Sequence, residues 1–291
     1  MLDLQDRLRP LKAQIFPQVM LLELNDTSLR GQLMRRRGPE PLSLDVPLPP
    51  LTCRGGMPLE KEPLADLIGD LMVRDGLIDA IVLAALPAAA VHWRVIEWPF
   101  DTFPSDPEDA LRQVNPPLNL PLPLEAMVLD LQPLPGVGPP QMLMAASPRD
   151  LVNGWIEVFS LGGVRLERLA PAQSCQLTAL QPLLAEIPAS ELVVLLDPTP
   201  AGLRLVLVRQ GLPVFERLLP QAPSDPWAEL QRCLAFYRRQ DPGVGGMRLL
   251  LAGELPGWEQ LEEVLGVRAE QLNPEPFGSL VLQGLAHPEV G

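Results

Sequence analysis

One order of hydrophobic periods occurs twice along this chain, and few architectures accept it. In the first half, alternation of period two predicts strands over Val19–Leu24, Gly31–Arg36 and Pro41–Val46. An amphipathic helix follows near Pro63–Asp75, with Leu64, Leu67, Ile68 and Leu71 at i, i+3, i+4 and i+7, and then a buried strand near Ala80–Ala85. Met142–Ala146, Pro148–Leu161 and Arg165–Ala170 continue as strand, helix and strand, and a helix near Gln173–Glu186 ends before Pro188. The second half repeats the order. Strands are expected at Leu192–Leu196, Arg204–Arg209 and Pro213–Leu219, a helix at Asp225–Gln240, a strand at Met247–Ala252, a helix at Trp258–Gly266 and a strand at Arg268–Leu272. A last helix is expected near Ser279–Ala286.

Three meandering strands followed by helix, strand, helix and strand, taken twice, predict an α/β chain of the actin-like type. The expectation is two ribonuclease-H-type domains facing a cleft, one over residues 15–172 and the other over residues 173–291. The stretch from Trp93 to Gln132 is left over from the first repeat and has its own strand, helix and strand at Trp93–Trp98, Ser105–Asn115 and Met127–Gln132. It reads as a small α/β subdomain inserted at about residues 91–135.

Composition narrows the function. Lys and Arg total 23 against 36 Asp and Glu, a net charge of −13, which disfavours nucleic-acid binding and a basic membrane-binding face. With 47% hydrophobic residues the chain has material for sizeable cores, and its 36 prolines fall mostly between periodic segments, as stiff loops. The longest apolar run, Ala80 to Trp93, is broken by Pro87 and is about 14 residues, short of the roughly 18 that span a bilayer. Cys53, Cys175 and Cys233 are too far apart for a CxxC metal site and odd in number, so a reducing cytoplasm is expected. His92 and His287, the two histidines, lie far apart in the sequence and suit neither a catalytic triad nor a His metal pair; no metal is implied. The basic run Arg35–Arg37 falls at a hairpin and reads as a solvated loop, with a partner or anionic lipid as the alternative.

The residues also carry a resemblance. HWRVIEWP followed by DPEDALRQVNPPLNLPLPLEAMVLDLQPL, then MLMAASPRDLVNGWIEVFSLGGVRLERL, then LAFYRRQ, RLLLAGELPG and LNPEPFG, in this order and spacing, resemble the type IV pilus assembly protein PilM family. The resemblance implies an actin-like cytoplasmic protein of the inner-membrane assembly platform, peripheral to the membrane through its partners. It implies binding of the short N-terminal tail of a PilN-like membrane protein, in a groove between the inserted subdomain and the first large domain, and contact with the pilus motor ATPase or a platform protein. Trp93, Val95, Leu111, Val114, Leu118 and Leu124 are the groove candidates, since a groove for an extended apolar peptide must offer unfilled hydrophobic surface or a free strand edge. Trp93 and Trp98 point to opposite faces of their strand, which leaves one of them for a partner.

The resemblance also implies a nucleotide site, and here the sequence departs from the pattern. Polyphosphate needs small residues and free N–H groups at two hairpin turns. In LELNDTSLRG, Glu23 replaces an Asp and Asn25 a Gly, while Asp26 adds negative charge; Thr27 and Ser28 keep donors. In LLDPTPAGLRL, Asp197 remains, but Pro198 and Pro200 bring no N–H and Thr199 stands where Gly is usual. The third contact is reduced to Gly253 followed by Glu254, and between Pro220 and Asp225 a small subdomain of the family is missing. The expectation is a degenerate site, no required cofactor and no catalysis, with ATP and Mg disfavoured. An actin-like ATPase or nucleotide-dependent switch using Asp197 and Thr27–Ser28 is the alternative. The cytoplasmic part of a type II secretion platform protein is a further one.

Overall fold

Met20, Leu21, Leu22 and Leu24 are all buried, so the first strand has cover on both faces and belongs at the centre of a sheet. The computed structural model, which describes residues 18–35, 38–98, 107–112, 120–134, 140–199, 202–219 and 226–287, places it there. Strand β1 (Val19–Leu24) pairs antiparallel with β2 (Ser28–Arg35), which pairs antiparallel with β3 (Gly38–Pro47). A two-rung hairpin, β4 (Cys53–Arg54) and β5 (Met57–Pro58), leads into α1 (Lys61–Arg74). Then β6 (Ile81–Leu86) returns parallel to β1.

The inserted segment builds a sheet of its own. It contains β7 (His92–Glu97), α2 (Pro107–Arg112), β8 (Met127–Leu134) and β9 (Gln141–Pro148), in the order β7-β9-β8, all antiparallel. The strand expected at Met142–Ala146 is therefore the central strand of this small sheet, and the subdomain runs past residue 135 to Pro148. Alternation marks Met142–Ala146 as a strand but does not choose its neighbours; the register Ile96↔Met142 and Leu131↔Met144 does, by closing a core. Ile96, Trp98, Leu111, Met142 and Met144 form it, with Leu124, Leu129 and Leu131 packed against them.

Helix α3 (Arg149–Leu161) follows, then β10 (Arg165–Pro171), which pairs parallel with β6 and completes the order β10-β6-β1-β2-β3. From α1, Leu64, Ile68 and Leu71 are buried as their spacing predicts, against the fully buried Trp155 and Phe159 of α3. The two rings are tilted, with centroids 6.3 Å apart.

After α4 (Ala172–Ala185), the second half repeats the plan. It contains β11 (Glu191–Thr199), β12 (Gly202–Arg209), β13 (Leu212–Leu219), α5 (Pro226–Gln240), β14 (Gly246–Leu251), α6 (Trp258–Leu265) and β15 (Ala269–Gln271), with sheet order β13-β12-β11-β14-β15. Leu192, Val194, Leu196, Leu203, Leu205 and Leu207 bury one face with Leu230, Leu234 and Leu261 from the helices. Val193, Leu195, Val206 and Val208 on the opposite face are buried too.

Two compact units result: the described residues within Met1–Thr178 and Val281–Gly291, and Ala179–Leu280. Helix α7 (Leu280–Leu285), expected to close the second domain, falls almost wholly in the first unit. The reason is a close crossing with α4: a Cβ at Gly284 would overlap the Cys175 carbonyl, and Arg168 of β10 donates from Nη2 to the Leu285 carbonyl at 2.6 Å.

Candidate functional site

In the first unit the chain turns after β1 through Asn25, Asp26 and Thr27. The Asn25 N–H donates to the Ser28 carbonyl at 3.0 Å and Leu24 pairs with Leu29, so Ser28 already belongs to β2. Thr27 is exposed, and its carbonyl accepts from the Leu48 N–H at 2.9 Å. Asp26 turns towards the β4–β5 hairpin: its Oδ2 accepts from the Gly55 N–H and its Oδ1 from the Gly56 N–H, each at 2.7 Å. The Cys53 thiol donates to the same Oδ1 at 3.5 Å, and burial together with the Asp26 charge pushes that thiol up to about 12. Glu23 is half-buried at the end of β1. It and Arg168 both act on the buried Cys175, whose thiol burial pushes up to about 12 against the pull of Arg168.

In the second unit the corresponding turn follows β11. Asp197 faces Arg204 across the β11–β12 ladder, and its Oδ2 accepts from Nε at 3.2 Å and Nη2 at 2.8 Å. Arg204 Nη1 also reaches Glu216 Oε1 of β13 at 3.3 Å. Arg204 is only 3% exposed; burial alone would depress its guanidinium, but Asp197 and Glu216 outweigh it and the net direction is upward, so it is a fixed cation. Thr199 donates from Oγ1 to the Gly202 carbonyl at 2.7 Å and closes the hairpin. Gly253 lies beside this turn: a Cβ on it would be 3.6 Å from Pro198 Cδ, and its carbonyl accepts from Gln271 Nε2 at 3.0 Å. The second unit thus gathers Asp197, Thr199 and Gly253 at one end of its sheet.

Sequence reasoning did not anticipate Gly55, Gly56 or Arg204. The signals were present: a Gly-Gly pair within the short CRGGMP segment, and an arginine within the apolar GLRLVLV run, placed to face Asp197 across a tight hairpin. Among the described residues no group of three or more His, Cys, Asp or Glu side chains gathers as for a metal ion.

The groove candidates divide between two faces of the small sheet. Leu111 is buried in the subdomain core with Trp98, and Leu124 packs against it. Trp93 and Val95 are half-buried on the other face, opposite Ala145 and Leu143, on β7 at the edge of the sheet. Val114, Leu118 and the Arg36–Arg37 part of the basic run lie outside the described residues, as does the Arg35 side chain. No described helix is long and apolar enough to cross a membrane.

No family model and no curated protein matches the chain. Among solved structures, it is similar to a PilM–PilN type IV pilus biogenesis complex, with a TM-score of 0.73 and 24% identity over 92% of this chain and 97% of that one. The chain has the actin-like α/β fold. Two further structures share it at a TM-score of 0.54. One is the cytoplasmic domain of EpsL, an inner membrane component of the type II secretion system of Vibrio cholerae, with 12% identity over 92% of each chain. The other is a Bacteroides thetaiotaomicron protein of actin-like ATPase fold and unknown function, with 10% identity over 92% of this chain and 95% of that one.

Proposed function

We propose that the chain is a non-catalytic adaptor of a type IV pilus assembly platform, cytoplasmic and held at the inner membrane by the N-terminal tail of a PilN-like membrane protein. The likeness to a PilM–PilN complex across nearly the full length of both chains carries this reading. The two turns support its non-catalytic part. Asp197, the one strand-end aspartate kept at a turn, is engaged by a buried guanidinium, and Asp26 is engaged by backbone N–H groups. A turn whose carboxylate already has a cation gains little from Mg, and a negative side chain beside the turn opposes phosphate. On the small sheet, Trp93 and Val95 of the edge strand β7 are the residues through which an extended tail would be met.

Isothermal titration with a synthetic N-terminal tail of a PilN-type membrane protein tests the reading. Micromolar binding, equal with and without Mg-ATP, is the expected result. Absence of binding, or binding unchanged by Trp93→Glu and Val95→Glu, would remove the partner assignment. Thermal unfolding with Mg-ATP tests the non-catalytic part separately. A bound nucleotide at about 100 times its dissociation constant adds roughly 2.7 kcal/mol, and no such shift is expected.

A further inference from the structure

The β4–β5 turn has the construction of an anion receptor. Gly55 and Gly56 lie at φ +59° and +80°, conformations that glycine takes without strain, and their consecutive N–H groups converge on one side of the turn. The turn is also held from behind. The buried Trp155 donates from Nε1 to the Gly56 carbonyl at 2.7 Å, and a Cβ on Gly56 would come within 2.5 Å of Ala90 Cβ and 2.9 Å of Pro87 Cγ. On the far side of the hairpin, the Leu59 N–H donates to the Thr52 carbonyl at 2.7 Å. The two N–H groups are therefore preorganised and do not depend on the anion for their direction.

We infer that Asp26 is an internal ligand of this receptor: its carboxylate occupies an oxyanion site formed by the Gly55 and Gly56 N–H groups and closes it to phosphate. Each carboxylate oxygen takes one N–H at 2.7 Å, the length of a charge-assisted bond, and the Cys53 thiol adds a third donor to Oδ1. A phosphate or sulfate oxygen pair offers the same acceptors with the same sign of charge, so it competes with Asp26 and does not add to it. The carboxylate is tethered to the adjoining turn, at an effective concentration that free phosphate in the millimolar range does not match. The inference concerns this turn alone and stands or falls apart from the binding of a partner tail.

The test follows the Gly55 and Gly56 amide resonances of the full chain during titration with inorganic phosphate, with chloride at matched ionic strength as control. In the unaltered protein the two amides stay in place, and their hydrogen exchange is slowed tenfold or more relative to an unprotected glycine. In Asp26→Ala they move saturably with phosphate, and phosphate returns most of the thermal stability that the substitution removes. Equal movement in the unaltered protein, no movement in Asp26→Ala, or unprotected amides in the unaltered protein would each overturn the assignment. Asp26→Ser, which has no carboxylate to place against the two N–H groups, gives the same readout if the alanine variant does not fold. The exchange measurement needs no variant.

Discussion

The turn after β1 and the turn after β11 occupy the same place in two sheets of identical strand order, yet their aspartates are satisfied in opposite ways. Asp26 reaches out of its sheet to backbone N–H groups of a separate hairpin, whereas Asp197 reaches back along its own ladder to the buried Arg204. The first arrangement depends on the conformation of two glycines. The second depends on strand register, because Arg204 meets Asp197 only while the β11–β12 pairing holds and meets Glu216 only while β13 is in place. One fold thus satisfies two turn carboxylates by different chemistry, once with a pair of backbone dipoles and once with a full cation.

The largest effect should come from breaking the second arrangement. Arg204→Ala leaves the part-buried Asp197 and Glu216 carboxylates without their guanidinium and should cost the second unit about 3–5 kcal/mol, read by denaturant unfolding through Trp227 and Trp258. A loss under about 1 kcal/mol would mean that the network contributes little. Trp155→Phe strikes the first arrangement from behind: it deprives the buried Gly56 carbonyl of its donor and should cost about 1–3 kcal/mol, confined to the unit that contains Trp93 and Trp98. Thr199→Val removes the side-chain closure of the β11–β12 hairpin and should cost only about 1 kcal/mol, since the β11–β12 ladder from Leu192 to Pro198 is left in place.

The last effect is one of pH. Burial and then Asp26 raise the Cys53 thiol to about 12 from the ordinary 9.0. The folded state therefore keeps the thiol neutral where the unfolded chain ionises it. That contribution to stability is fully present below pH 9.0 and is lost as pH rises through the window up to about 12. Cys53 should resist alkylation at pH 9, and Asp26→Asn should speed it by removing the neighbouring negative charge; equal rates in the two proteins would separate Asp26 from the thiol.

Much of the fold was legible in the sequence because helix and strand periods are local. Leu64, Ile68 and Leu71 lie on the buried side of α1 as their spacing required, and the two meanders with their crossovers occur where alternation placed them. The site was less legible. The Pro198 and Thr199 departures were visible by inspection, but nothing local in LNDTS shows that Asp26 meets Gly55 and Gly56 from a hairpin some thirty positions later. Leu111 read as a groove residue because it is an apolar side chain of the inserted segment, and the same apolar character serves the small core in which it is buried.

The sequence by itself determined the kinds and order of the elements, and through that order the fold class, because backbone sterics and hydrophobic period act over a few residues. The tertiary structure decided which elements met. It set β9 at the centre of the small sheet, joined α7 to α4 through the space left by Gly284, and paired each turn aspartate with its donor. Those choices turn on register, close approach and the burial of charge. Each of these is a property of surfaces far apart in the chain and has no value until both are in place.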